Sequence, residues 1–234
     1  MSIFSQRSTE KEIMDDLDCS GPDLDQTLRE LKTINRWLGG NHVTTLGLTQ
    51  LIHEKPQKQY EITDIGCGGG DMIRVMSKWA QKHEIPAKFT GIDANGNIIE
   101  FAKVRQSDLS AIKWKIQNVF EPEFAAEKTD LITCTLFTHH FTDGELVELL
   151  KAMKAKARLG IVINDLHRHR LAYYSIKWLT RLFSRSPMVQ NDAPLSVLRS
   201  FSKTDWERIL AGAGIVQYSI RWFWAFRWQV IIRF

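Results

Sequence analysis

From Tyr60 onward, short apolar, β-branched runs alternate with segments of helix length, an order that points to a parallel sheet covered by helices. Tyr60 to Ile65, Lys88 to Ile92, Lys113 to Gln117, Thr129 to Thr135 and Arg158 to Asn164 read as five strands. Between them, Asp71 to His83, Asn97 to Ser107 and Asp143 to Ala155 read as helices. A further helix, Ser202 to Ala213, precedes two apolar runs, Val216 to Trp224 and Trp228 to Phe234. Their connection is too short for a helical crossover, so this last pair should be antiparallel.

The expected fold class is therefore α/β: a doubly wound, Rossmann-like seven-stranded sheet, mostly parallel, with an antiparallel C-terminal hairpin and a helical N-terminal cap. In the cap, Ile13, Leu17, Leu28, Leu31, Ile34 and Leu38 recur at helical steps, broken near Gly21-Pro22. Gly39-Gly40 reads as a stop and Val43 to Ile52 as another helix. A chain of 234 residues suits one domain. It divides into a cap (1–55), a core (60–166), a lid-like insertion (167–201), and the last helix with its hairpin (202–234).

Three cysteines, Cys19, Cys67 and Cys134, form no C-x-x-C pair, which argues against a disulfide framework or a cysteine zinc site and for a reducing, cytoplasmic setting. No signal-type N-terminus and no run of about 18 apolar residues is present, so neither export nor a membrane span is expected. A formal net charge of +4 over this length is a weak field, and nucleic acid is not an expected partner. Oligomeric state is not legible.

The most informative segment is Asp64-Ile65-Gly66-Cys67-Gly68-Gly69-Gly70-Asp71, where the first strand gives way to a helix. Glycines let the backbone turn sharply and approach a ligand, and the helix start offers free N–H groups. The next strand ends in Gly91-Ile92-Asp93-Ala94, which puts a carboxylate where it can accept the hydroxyls of a ribose. Asp71 stands where a dinucleotide-binding G-x-G-x-x-G would need its third glycine, which disfavours a nicotinamide enzyme.

On these residues the sequence resembles the class I S-adenosylmethionine-dependent methyltransferases, whose first motif is an acidic residue followed by G-x-G-x-G. Asp64, Gly66, Gly68 and Gly70 occupy that motif, and the resemblance runs from residue 60 to about 166 and again through Trp206 to Ile215. It implies S-adenosylmethionine as cofactor, with Asp93 on the ribose and Asn118 near the adenine. Cys67, Ala94, Val119 and Leu136 join the implied cofactor contacts. Asn35 or Arg36 in the cap could reach the cofactor, although a solvated helix face is the plainer reading for both.

Open α/β sheets bind ligands beyond the carboxyl ends of their strands, so the residues after the fourth and fifth strands should face the reacting methyl group. There lie His139 and His140, and then His167 and His169. A histidine titrates near neutrality, and a phenol would benefit from such a base, which makes His139 or His140 the candidate catalytic group. Packing of the pair against the next helix is the competing reading. His167, His169 and Tyr174 are candidate substrate contacts. No metal is expected, because Asp165, His167 and His169 lack the paired carboxylates of metal-dependent relatives. Cys134-Thr135-Leu136-Phe137 replaces the [DN]-P-P-[YFW] of nucleobase amine methylation.

In the 167–201 segment, Leu171 to Phe183 combines an apolar stripe with Lys177 and Arg181 and could lid a pocket or touch a membrane surface weakly. Its wording resembles small bacterial methyltransferases of type III polyketide and phenolic-lipid pathways. Tyr173 and Lys177 fit Y-x-x-x-K by chance, since the dehydrogenase glycine turn is missing. The expected activity is methyl transfer to an oxygen of an aromatic or polyketide-like small molecule. An RNA or protein methyltransferase on the same core, or a noncatalytic binding protein, are the alternatives.

Overall fold

The structure is a computed structural model that describes residues 2–109 and 111–234. Helices α1 (Pro22–Trp37) and α2 (Gly40–Glu54) precede β1 (Tyr60–Ile65), α3 (Asp71–Lys82), β2 (Ala87–Asp93), α4 (Gly96–Arg105) and β3 (Ile112–Ile116). Then follow β4 (Thr129–Thr135), α5 (Asp143–Lys156), β5 (Ala157–Leu166), α6 (Arg170–Phe183), α7 (Pro187–Arg199) and α8 (Lys203–Gly212). The chain closes with β6 (Tyr218–Phe223) and β7 (Arg227–Arg233).

Seven strands form one sheet in the order β3-β2-β1-β4-β5-β7-β6. The first five are parallel, and β7 runs antiparallel to both β5 and β6, as the short connection required. The order reverses between β1 and β4, and the carboxyl edge there opens a crevice. Each face carries its own core. Leu146, Leu149, Leu150 and Met153 of α5 pack with Trp206, Ile209 and Leu210 of α8 on one side. Leu48 and Leu51 of α2 pack with Met72, Ile73 and Met76 of α3 on the other. Threonine and serine caps set two of the helix starts: Thr142 with Glu145 on α5, and Ser202 with Asp205 on α8, each a reciprocal capping box.

Three expectations change. Residues before Gly21 are not a helix but a strap with one 3-10 turn at Ile13–Asp15. The Asp192 carboxylate accepts the Ile13 and Met14 N–H groups, a long-range bond that replaces the helical ones. Gly39, in the left-handed region, ends α1 as expected, but α2 begins at once at Gly40 rather than at Val43. The 167–201 segment contains a second helix, α7, which packs against α6 and α1 with Met188, Val189 and Val197 buried. The segment thus holds two helices, and residues of both line the crevice.

Candidate functional site

At the end of β1 the chain turns through Gly66 and Gly68, both at positive φ, into α3. A side chain at Gly66 would put its Cβ 2.0 Å from the Phe137 ring, whereas at Gly68 only Leu28 comes within reach, at 4.0 Å. Gly68 therefore presents bare backbone to the crevice. Asp93 at the tip of β2 accepts the Gly68 N–H through Oδ2 and the Asn95 N–H through Oδ1, each at 3.1 Å. Burial raises its pKa, opposed by those N–H groups and by nearby His140. Asp64 is fully enclosed, accepts the Thr133 hydroxyl at 2.6 Å, and burial pushes its pKa up to about 7.

These residues share one crevice of about 1550 Å³ with Cys67, Ala94, Asn118, Val119 and Leu136. Asn118 Oδ1 accepts the Phe120 N–H at 3.0 Å, which holds the loop after β3 in place. Leu136 adopts φ 54° and donates its N–H to the Asn164 carbonyl at 2.9 Å. The roof is α1, whose Leu28, Leu31 and Ile34 face the cavity together with Leu38 just past its end. Gly70 stands slightly apart as the left-handed cap of α3, where a Cβ would meet Trp114. The bare turn at Gly68 with an adjacent carboxylate is a cradle that fits a nucleotide-like cofactor.

At the crevice's other end lies an ionic cluster. His139 is 3% exposed; its Nδ1 meets Asp165 Oδ1 at 2.7 Å, and Asp165 Oδ2 also accepts the Thr138 hydroxyl at 2.5 Å. Burial of Asp165 would raise its pKa, but His139 and these hydrogen bonds hold it well below the usual carboxylate range. His140, its side chain 23% exposed, meets Asp15 Oδ1 through Nδ1 at 2.5 Å. Asp15 also accepts from Arg199 at 2.5 Å; burial opposes ionisation, yet these partners lower its pKa to about 2. Glu12 Oε1 lies 3.7 Å from His139 Nε2 and is buried without a hydrogen-bond donor, and burial pushes the carboxyl up to about 7.

Glu12, His139 and His140 bring ligand-type atoms within 4.8 Å of one another. The Arg199 guanidinium, 3.8 Å from Glu12 Oε1, already serves as the cation of this cluster. Arg7 reinforces it, donating to Asp143 at 2.6 Å and to the Arg199 and Phe141 carbonyls.

The structure thus unites the glycine loop, Asp93, Asn118 and the His139-His140 pair. His167, His169 and Tyr174 fall elsewhere. His167 packs on Trp228, His169 stacks on Phe226, and Tyr174 points outward beside Phe4. The α6 residues on the crevice are instead Ala172, Ser175, Ile176 and Leu179, one helical face away from Tyr174. Asn35 is no solvated surface residue, because its Oδ1 accepts from the buried Arg227 at 2.9 Å. Glu12, Asp15, Arg199 and Arg227 were not anticipated. An acidic residue in the cap carries no signal of a partner 184 positions away, the separation of Asp15 and Arg199.

Residues 62–160 match the family model for a methyltransferase domain. No curated protein sequence matches the chain. Among solved structures, human N-acetylserotonin methyltransferase in complex with S-adenosylmethionine is similar at TM-score 0.63 and 16% identity, over 90% of this chain and 55% of that one. A candidate O-methyltransferase from Nostoc punctiforme is similar at 0.60 and 14%, over 88% and 60%. The plantazolicin methyltransferase BpumL in complex with S-adenosylhomocysteine is similar at 0.63 and 17%, over 90% and 95%. The chain thus spans little more than half the length of the first two, and at these identities the likeness is one of fold. The match over residues 62–160 to a methyltransferase-domain model and the fold shared with these methyltransferase structures coincide on the stretch that holds the cradle at Gly68 and Asp93.

Proposed function

We propose that the protein methylates an oxygen of a small aromatic, phenolic or polyketide-like molecule, in a reducing cytoplasm. The supporting observation is that one crevice joins the Gly68 and Asp93 cradle to an apolar wall and a carboxylate-held histidine pair. The human neighbour, by its name, acts on N-acetylserotonin, a small molecule.

S-adenosylmethionine supplies an electrophilic methyl group on a sulfonium. Asp93 would accept hydroxyls of its ribose, and the bare peptide at Gly68 would let its tail approach the backbone. Asn118, Ala94, Val119 and Leu136 would line the adenine side. Leu31 and Ile34 of α1, Leu38 just after it, and Ile176 and Leu179 of α6 would make the acceptor end apolar.

His140 is the better placed base of the two histidines, because its partner His139 is sealed between Asp165 and Glu12. Asp15, ionised, accepts from Nδ1–H and leaves Nε2 with its lone pair to take the acceptor's proton. Asp165 and His139 fix the turn that carries His140.

The test is a screen of phenols with S-adenosylmethionine, followed by His140→Ala and His139→Ala. His140→Ala should lower kcat by about 10² or more while leaving S-adenosylhomocysteine affinity in place. Full turnover in both variants would remove histidine as the base. Salt-sensitive binding of RNA without turnover of any phenol would favour a macromolecular acceptor instead.

A further inference from the structure

Helix α6 separates the crevice from solvent. Its inner face supplies Ala172, Ile176 and Leu179 to the cavity wall, while Leu171, Tyr174, Trp178 and Leu182 step along its outer face at intervals of three and four residues. Each of these four, and Phe183 after them, is more than half exposed. Such a contiguous apolar stripe on a helix that already has a packed inner face marks an interaction surface.

The charge on the same helix identifies the partner. Arg170, Lys177 and Arg181 lie beside the stripe and Arg185 follows it, and residues 170 to 191 contain no Asp or Glu. Trp224 is also largely exposed and stands near Phe226, whose ring stacks on His169 at the start of α6. Aromatic and aliphatic side chains edged by cations suit the boundary between acyl chains and anionic headgroups.

We propose that the outer face of α6 docks the protein on an anionic lipid bilayer, with the helix lying in the plane of the interface. Because the opposite face of the helix lines the crevice, docking brings the acceptor end of the cavity against the lipid. That an amphiphilic acceptor enters there rests on the function proposed above; the docking does not.

The experiment is flotation of the whole protein with phosphatidylcholine vesicles, with and without about one third phosphatidylglycerol, at two salt concentrations. The protein should float with the anionic vesicles and be released by salt. Trp178→Ser combined with Leu182→Ser should abolish flotation. Lys177→Ala with Arg181→Ala should weaken it more than tenfold, about fivefold for each cation lost. Both pairs are exposed, and unchanged melting temperatures would verify their fold. Absence of flotation with either vesicle would overturn the proposal, as would flotation indifferent to both double variants. Self-association through the stripe, seen by ultracentrifugation and lost in Trp178→Ser/Leu182→Ser without any vesicle binding, would assign the face to a second copy of the chain instead. Because flotation needs neither cofactor nor acceptor, it separates this proposal from the methyl-transfer reading.

Discussion

Asp165 Oδ1 lies 2.7 Å from His139 Nδ1, joining the end of β5 to the turn after β4 inside a site closed to solvent. The same carboxylate accepts the Thr138 hydroxyl and the His139 and Leu166 N–H groups. Replacing it with Asn leaves His139 and the backbone of the turn with a weaker and partly mismatched acceptor. Asp165→Asn should cost about 3 kcal/mol of stability, as breaking a buried pair does. Chemical denaturation measures it, and a loss under about 1 kcal/mol would contradict the role assigned to this carboxylate.

At Asp93, two N–H groups are already bound and the carboxylate still borders the crevice. Asp93→Ala should weaken S-adenosylhomocysteine binding at least tenfold by calorimetry, the scale of hydrogen bonds to a charged group, and leave the chain folded. Unchanged affinity would show that the ribose lies elsewhere.

Gly66 and Gly68 separate fold from binding. Gly66→Ala would drive a methyl group into the Phe137 ring at a left-handed residue, so it should lower the melting temperature strongly. Gly68→Ala meets open space and should cost only about 1 kcal/mol, the penalty of a left-handed alanine, yet reduce cofactor affinity because the methyl group occupies the cradle. Equal effects of the two on stability would refute this division.

Asp64 gives a pH signature. Its folded pKa of about 7 exceeds the unfolded value of about 4, so between these the native state holds the extra proton and stability falls as pH rises. Asn keeps an acceptor for Thr133 without a charge. The stability of Asp64→Asn relative to the parent should therefore improve from pH 4 to 7, by a few kcal/mol in order of magnitude. Parallel curves for the two proteins would show that Asp64 stays charged.

The core and its cofactor cradle were legible because their signals are local. A β-branched run, a glycine turn and a helix start lie within a dozen residues, and β1 and β4 span the residues their apolar runs mark. The antiparallel end of the sheet followed from the length of one connection. Helix α7 was missed because Pro194 sits inside it and its apolar residues are interrupted by Gln190, Asn191 and Asp192, whose carboxylate is turned inward to cap the strap.

The acceptor end was decided only in three dimensions. Nothing near Glu12 or Asp15 in the chain announces His139, His140 or Arg199, since an ion pair leaves no periodicity in either of the segments it joins. Likewise, a helical stripe at Leu171, Tyr174, Trp178 and Leu182 is visible in the order of residues, but which way it faces depends on what covers the other side. The sequence determined the sheet and the nucleotide cradle through short-range backbone chemistry. Tertiary packing alone decided which charges meet at the crevice and which apolar face stays bare, because both depend on contacts between distant segments.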